Sequence, residues 1–168
     1  MPDADDDFAG WITPHLSRLA RISRAFAAPA DQHDLMQELL ISVWKARPAF
    51  RGEASSATFI YRVAHNRALT WKRRDALMGL RFFNARHELA DMAADTCRES
   101  DQQSLDRLYT AIRQLAPVDR SLMLLSLDGV AYADMSALHG LSENTIGVRL
   151  NRARARLVAL IGEISDGF

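Results

Sequence analysis

This 168-residue chain has little cysteine, no glycine clusters and no long apolar runs; it contains one cysteine and eight glycines. A single cysteine excludes an intramolecular disulfide and a cysteine-based metal site. Cys97 stands in an acidic, polar stretch, residues 95–99, and we interpret it as an incidental thiol. The glycines form no phosphate-binding cluster, and no Ser/His/Asp, metal-ligand or nucleotide-binding spacing occurs. We therefore expect no enzyme activity, no metal or other cofactor and no small-molecule substrate.

No apolar segment approaches the ~18 residues that a membrane-spanning helix needs. The first seven residues include four aspartates and lack the basic and apolar segments of a signal peptide. We therefore expect a cytoplasmic protein without membrane insertion, with a disordered N-terminus over residues 1–8.

The net charge is zero, but the charges are unevenly distributed. Residues 51–86 carry eight basic and two acidic residues, and residues 135–161 carry four basic residues and one acidic residue. Between them, residues 87–134 carry four basic and nine acidic residues. Two separate basic segments indicate two contacts with a polyanion, although ordinary local fluctuation of charge in a neutral protein gives the same pattern.

Apolar residues recur at helical spacing along most of the chain, and no convincing strand alternation occurs. Asp31 is the predicted cap of the second helix, and Pro48 ends it. Residues 76–102 lack sustained periodicity and are predicted to be a linker, apart from a possible helical extension over residues 78–89. The pattern predicts an all-α protein with helices over about 9–27, 32–47, 57–74, 103–115, 118–128, 131–139 and 142–163.

Residues 131–157 have the pattern of a helix-turn-helix. Gly140 suits the left-handed residue that ends the first helix, and Ser142 suits the cap of the second. The apolar residues of the second helix recur at intervals of four, three and four, and its other face begins with small polar residues and continues with arginines. Such a helix fits the major groove of DNA, although a helical hairpin with a solvated basic face has the same pattern.

Two blocks of the sequence resemble a known family. The run from Ala131-Tyr132-Ala133-Asp134-Met135 to Leu150-Asn151-Arg152-Ala153-Arg154 resembles the fourth conserved region of bacterial sigma factors of the extracytoplasmic-function (ECF) class. Asp31-Gln32-His33-Asp34-Leu35-Met36-Gln37-Glu38 with Val43-Trp44 resembles the core-binding motif of region two. Phe50-Arg51-Gly52-Glu53 and Thr58-Phe59-Ile60-Tyr61-Arg62-Val63-Ala64-His65-Asn66 resemble its promoter-melting segment. The blocks stand in the family's order and together cover almost everything except the linker.

The resemblance implies a sigma factor that binds core RNA polymerase and promoter DNA and is inhibited by an anti-sigma factor. It implies two small helical domains: a region 2 bundle over 9–75 and a region 4 helix-turn-helix over 103–163, joined by the linker 76–102. By resemblance, core polymerase would be bound by Asp31, Asp34, Leu35, Gln37, Glu38, Leu40 and Trp44. The minus-ten element would be bound by Phe50, Arg51, Gly52, Arg62, His65, Asn66, Lys72, Arg73 and Arg74. The minus-thirty-five element would be bound by Ser142, Asn144, Thr145, Val148, Arg149, Arg152 and Arg156.

The sequence departs from the family at several positions. Gly147 stands where the family often has a basic residue and Val148 where it often has a small hydroxyl, which removes one phosphate contact and offers a surface for a thymine methyl. His33 and Leu40 deviate within the core-binding motif, and Thr70-Trp71 occupies a place where an acidic residue is common.

Two other interpretations remain open. A sigma-like mimic would bind an anti-sigma factor without binding DNA, although the basic residues of both segments argue against it. An ordinary helix-turn-helix regulator would leave the motif at residues 31–38 without a role.

Overall fold

The structure is a computed structural model that describes residues 4–79 and 99–166. Both described parts are helical, as the sequence predicts, and neither contains a strand. The first part consists of α1 (Ala4–Ile12), α2 (Leu16–Phe26), α3 (Gln32–Ala46) and α4 (Ser56–Gly79). The second part consists of α5 (Glu99–Arg113), α6 (Pro117–Leu127), α7 (Tyr132–His139) and α8 (Glu143–Asp166).

The first predicted helix, 9–27, differs from the structure in two ways. It begins earlier, because α1 already starts at Ala4, so residues 4–8 are helical rather than disordered. It is also interrupted by a 3-10 turn at Thr13–His15. Pro14 lies in that turn, and because proline has no amide hydrogen it cannot donate the bond that would continue α1 into α2.

Asp31 precedes α3, but its side chain makes no capping hydrogen bond, so the predicted cap is wrong. A 3-10 turn over Pro29–Asp31 runs directly into the helix. Asp31 therefore has a nearly helical backbone, with φ −105° and ψ −3°, instead of the extended conformation that directs a cap side chain at the first free amides.

The helices on either side of the predicted linker are longer than the periodicity indicates. Helix α4 continues to Gly79 and α5 begins at Glu99, so both ends of the segment 76–102 are helical. The remainder of the suggested extension over 78–89, and Cys97, lie outside the described residues.

Helices α2, α3 and α4 pack around fully buried side chains that include Leu19, Leu35, Leu39, Val43 and Ala64. In the second part, α8 packs on α5, α6 and α7 around Ile112, Leu125, Met135, Ile146 and Leu150. A fully buried leucine or isoleucine contributes about 1.5–3 kcal/mol, so the apolar stripe of each helix accounts for its place in the bundle.

The two parts also pack against each other, because α5 and α6 contact α2, and α6 contacts α4. One apolar cluster therefore extends through both parts. Within the described ranges, no helix has the length and hydropathy to cross a membrane, and no three metal-ligating side chains converge.

Candidate nucleic-acid and polymerase interfaces

The turn between α7 and α8 is fixed by local hydrogen bonds. Gly140 has φ +66°, and its amide donates to the carbonyl of Ser136 at 2.8 Å, which ends α7 as the sequence predicts. The hydroxyl of Ser136 donates to the carbonyl of Leu141 at 2.6 Å. The hydroxyl of Ser142 accepts from the amide of Thr145 at 3.2 Å and caps α8, also as predicted. These bonds hold the two helices in a fixed relation.

Helix α8 has the two faces that the sequence indicates. Ile146, Leu150 and Ala153 are buried against the rest of the second part. Six of the seven predicted minus-thirty-five residues are exposed: Ser142, Asn144, Thr145, Val148, Arg152 and Arg156. Val148 is 42% exposed, which is unusual for a large apolar side chain on a surface that otherwise carries polar residues.

Arg149, the seventh, is placed differently from Arg152 and Arg156. Its side chain is 35% exposed, and its Nε donates to a carboxylate oxygen of Asp119 in α6 at 2.7 Å. Arg149 thus fastens α8 to α6. Any contact with DNA would have to use guanidinium nitrogens other than Nε.

The packing does not require glycine at position 147. A Cβ atom at Gly147 would lie 3.6 Å from Cε2 of Tyr132, an ordinary van der Waals distance. The departure from the family at this position is therefore not caused by steric crowding.

The loop before α4 is anchored by an aromatic cluster. The ring of Phe50 lies between those of Trp11 and Phe59, with centroid distances of 5.8 and 5.2 Å, and the guanidinium of Arg47 stacks over Trp11. Phe50 is consequently half-buried, and its packing in this cluster anchors the loop. Next to it, Arg51 and Gly52 are exposed.

Gly52 has φ +73°, which a side chain at this position would strain. The hydroxyl of Ser55 then caps α4 by accepting from the amide of Thr58 at 3.1 Å. The loop thus presents Arg51 and Gly52 in a defined position beside the start of α4.

The exposed face of α4 carries a stripe of polar and basic side chains, Arg62, Asn66 and Arg73. Arg74 is 60% exposed, and its guanidinium approaches Glu38 of α3 at 4.0 Å. Lys72 is partly buried. These five residues of the predicted minus-ten set are accessible to different degrees on one helix.

His65 lies on the opposite face of α4 and is fully buried, so its prediction as a DNA contact is wrong for this arrangement. Its Nδ1 is 2.7 Å from the hydroxyl of Ser121 in α6. Burial, with a further contribution from His139, lowers the pKa of His65 to about 3. The local pattern gave no sign of this, because the helix that covers His65 is 56 residues away in the sequence.

Tyr61, one turn earlier in α4, is also covered by the second part of the chain. Its hydroxyl donates to a carboxylate oxygen of Asp128, which follows α6. Burial, and then this hydrogen bond, raise the pKa of Tyr61.

Helix α3 presents a mixed polar and apolar stripe. Asp34, Gln37, Ile41 and Trp44 are exposed at intervals of three, four and three, which places them on one face of the helix. Trp44 is 51% and Ile41 49% exposed, and large exposed apolar groups of this kind mark protein interfaces. The sequence interpretation missed Ile41, although its spacing from Trp44 would have revealed it.

The four other members of the predicted core-binding set are less accessible. Leu35 is fully buried in the core with Leu39, so its prediction as a surface contact is wrong. Leu40 and Asp31 are partly buried. Glu38 forms an ion pair with Arg67 of α4, which ties α3 to the helix carrying the minus-ten stripe.

The second part of the chain contains a capped helix-turn-helix with an exposed basic face, and the first part carries a basic stripe on α4. Together they define a helical DNA-binding protein with two contact surfaces. Residues 11–77 match the family described as Sigma-70 region 2, and residues 105–157 match Sigma-70, region 4. Together they cover more than half of the chain, which belongs to the bacterial RNA polymerase sigma factors, in their ECF class.

Individual relatives agree with this assignment. The chain is 28% identical to the ECF RNA polymerase sigma factor SigM of Mycobacterium tuberculosis over 90% of this chain and 74% of the relative. It is 28% identical to the RNA polymerase sigma factor CarQ of Myxococcus xanthus, over 96% of this chain and 92% of CarQ.

Two examples among the solved structures that share the fold are complexes. One is the sigma factor RpoE in complex with the anti-sigma factor NepR from Bartonella quintana, with TM-score 0.74 and 21% identity over 93% of this chain and 97% of the other. The other is CnrH in complex with the cytosolic domain of CnrY, with TM-score 0.65 and 22% identity over 96% and 91% of the two chains.

Proposed function

We propose that this ECF sigma factor binds core RNA polymerase through the exposed stripe of α3 and contacts two promoter elements through α4 and α8. The observation that carries the proposal is the face of α8, where a rigid, capped turn presents small polar residues first and arginines further along. In this geometry the N-terminal residues of a recognition helix contact base edges and the arginines contact phosphates.

The minus-thirty-five contact is assigned to Ser142, Asn144, Thr145, Val148, Arg152 and Arg156, with Arg149 in a supporting position. Val148 is suited to the methyl group of a thymine, because that apolar contact is available in the major groove. Arg152 and Arg156 are suited to phosphates, because both are exposed and lie one turn apart.

The minus-ten contact is assigned to the loop residues Arg51 and Gly52 and to the α4 stripe of Arg62, Asn66 and Arg73, with Lys72 and Arg74 at its end. Holding an unpaired strand requires cations for its backbone and polar groups for its base edges, and this surface has both. Phe50 supports the loop by packing on Trp11 and Phe59.

The core-polymerase contact is assigned to Asp34, Gln37, Ile41 and Trp44. Exposed aromatic anchors surrounded by polar groups contribute most of the binding energy in protein interfaces. Replacing Trp44 with alanine should therefore weaken core binding at least tenfold, which corresponds to about 1.4 kcal/mol. Leu105→Ala is the matched control, because Leu105 is 41% exposed but lies on α5.

We also propose that an anti-sigma protein binds this chain. Two solved structures of similar fold contain a partner: the anti-sigma factor NepR in one and the cytosolic domain of CnrY in the other. Transcription initiation would take place in the cytoplasm, where RNA polymerase and promoter DNA are found.

The test is in vitro transcription with purified core polymerase on a library of upstream sequences. A sigma factor yields defined start sites that share two sequence elements. Arg152→Ala should weaken use of the upstream element while core binding is retained. Arg154→Ala removes the same charge from another face of the same helix, where Arg154 bonds to Ser126, and should have a smaller effect.

Absence of defined start sites would contradict the proposal. If an anti-sigma protein were nevertheless captured, the chain would be a sigma-like mimic.

A further inference from the structure

Two large apolar side chains are exposed where the first helix of the helix-turn-helix meets the recognition helix. Tyr132 is the first residue of α7 and is 37% exposed, and Val148 lies in the second turn of α8 and is 42% exposed. The core between these helices is filled by other residues, Met135, Ile146 and Leu150. Large exposed apolar groups that lie close together mark contact surfaces.

Gly147 lies between these two side chains. A Cβ atom at Gly147 would be 3.6 Å from Cε2 of Tyr132, so the tyrosine ring lies beside the bare backbone of α8 at this position. Val148 follows Gly147 directly and is turned about 100° further round the helix. Tyr132, Gly147 and Val148, which we call the apolar patch, therefore form one surface to which both helices contribute.

The apolar patch is continuous with the polar and basic face of the recognition helix. Asn144 lies one turn before Val148 and Arg152 lies one turn after it, and both are exposed. These two residues belong to the face that we assign to the minus-thirty-five element. When this face enters the major groove, the apolar patch enters with it.

The major groove offers such a patch one kind of apolar partner. Base edges there present hydrogen-bond donors and acceptors, and the apolar group among them is the C5-methyl of thymine. The side chain of Val148 has no donor or acceptor, so against a polar base edge it would leave groups without partners. Because its two side chains come from different helices, the patch can cover methyl groups on neighbouring bases, which are about 3.4 Å apart along the axis.

Resting on the proposed function, we propose that Tyr132 and Val148 are specificity-determining residues that contact the C5-methyl groups of two neighbouring thymines in the minus-thirty-five element. Gly147 leaves the tyrosine ring beside the helix backbone and supplies no cation for a phosphate. Phosphate contacts carry no sequence information, whereas contacts with base edges do. Compared with a chain that has a basic residue at position 147, this chain therefore depends more on the bases and less on the backbone of the DNA.

The test removes the methyl groups from the DNA and leaves the hydrogen-bonding edges of the bases unchanged. A fully randomised duplex pool is synthesised once with thymine and once with uracil, which lacks only the C5-methyl. Holoenzyme reconstituted from core polymerase and this chain captures duplexes from each pool. Two neighbouring thymines should be enriched in the upstream element of the first pool, and the preference at these two positions should be lost in the second.

Single thymines of the enriched duplex are then replaced by uracil, and the affinity of the holoenzyme is measured. At each of the two contacted positions the wild type should bind uracil about fourfold more weakly than thymine, as expected for one buried methyl group. Val148→Ser and Tyr132→Ala should each bring this ratio toward one at one position, whereas Tyr132→Phe keeps the ring and should keep the ratio. Val158→Ser is the matched control, because Val158 is 72% exposed and lies about 15 Å further along the same helix.

Each ratio compares two duplexes with the same protein. A loss of stability in a variant therefore changes both affinities and leaves their ratio unaffected. Circular dichroism checks that each variant remains helical, and Val148→Ser, at an exposed position, tests the proposal even if Tyr132→Ala unfolds.

A ratio of one at every thymine of the upstream element, or wild-type ratios in both Val148→Ser and Tyr132→Ala, would overturn the proposal. Loss of the ratio in Val148→Ser alone, or its loss in Tyr132→Phe, would overturn the role given to the tyrosine ring. Enrichment of an upstream sequence without any preference for thymine over uracil would leave the proposed function standing and remove the methyl contacts alone. Absence of enrichment from both pools would contradict the proposed function itself.

Discussion

Acidification should destabilise the folded chain through His65, and the structure gives the size of the effect. His65 is fully buried, and its Nε2 has no hydrogen-bond partner within the described residues. Burial first, and then His139, lower its pKa from 6.5 to about 3, so the folded chain keeps this imidazole neutral. The unfolded chain binds a proton as the pH falls below 6.5, whereas the folded chain does not until the pH approaches 3.

This contribution to stability is therefore complete above pH 6.5 and is lost progressively as the pH falls toward 3. At pH 5.5, one unit below the unfolded pKa, the loss is about 1 kcal/mol relative to pH 7.5. Burial also lowers the pKa of His139 and of His15, so their contributions have the same sign.

Urea unfolding at pH 7.5, 6.5 and 5.5, followed by circular dichroism, measures the dependence. His65→Asn should reduce the pH dependence by about 1 kcal/mol between pH 7.5 and 5.5, because the amide can bond to Ser121 and does not titrate in this range. His33→Asn is the matched control for the substitution itself, since His33 is exposed on α3. The reasoning fails if wild type and His65→Asn lose the same free energy, or if the wild type becomes more stable toward pH 5.5.

Three further predictions concern a core residue, a helix cap and a DNA-facing arginine. Leu35→Ala should lower the free energy of unfolding by about 2–5 kcal/mol. Trp44→Ala should change it by less than about 1 kcal/mol and should weaken polymerase binding instead. If urea unfolding shows the larger loss for Trp44→Ala, the assignment of core and surface residues is contradicted. Ser142→Ala should cost about 1 kcal/mol by removing the cap of α8, and an unchanged thermal midpoint would argue against that role. Arg152→Ala should lower the slope of log affinity against log salt by about one in promoter binding, and a larger loss of slope in Arg154→Ala would point to a different DNA-facing surface.

The helices and the recognition face of α8 can be predicted from the sequence because both depend on interactions between residues close together in the chain. Gly140 and Ser142 act through their own turn, and Ile146 and Leu150 follow the period of a single helix. The first helix was harder to predict. Its apolar stripe is continuous, but Pro14 lacks the amide hydrogen that a continuous helix needs, and a 3-10 turn interrupts the helix there.

Accessibility within each helix was decided by what packs on it. Leu35 and Ile41 are both apolar residues of α3, yet one is fully buried and the other 49% exposed. The difference arises because α2 and α4 pack on the side of α3 that carries Leu35. The sequence of one helix indicates its buried side only when the spacings of all its apolar residues are considered together.

By itself the sequence determined that this protein is helical, that its last helices form a helix-turn-helix, and that it resembles a sigma factor in two ordered blocks. Only the tertiary structure decided that His65 and Tyr61 face the second part of the chain, and that Asp128 and Ser121 hold them there. The partners of these two bonds are 67 and 56 residues apart in the chain. No local periodicity encodes such pairings, because they arise only when separately formed helices pack and bury polar groups that must then find one another.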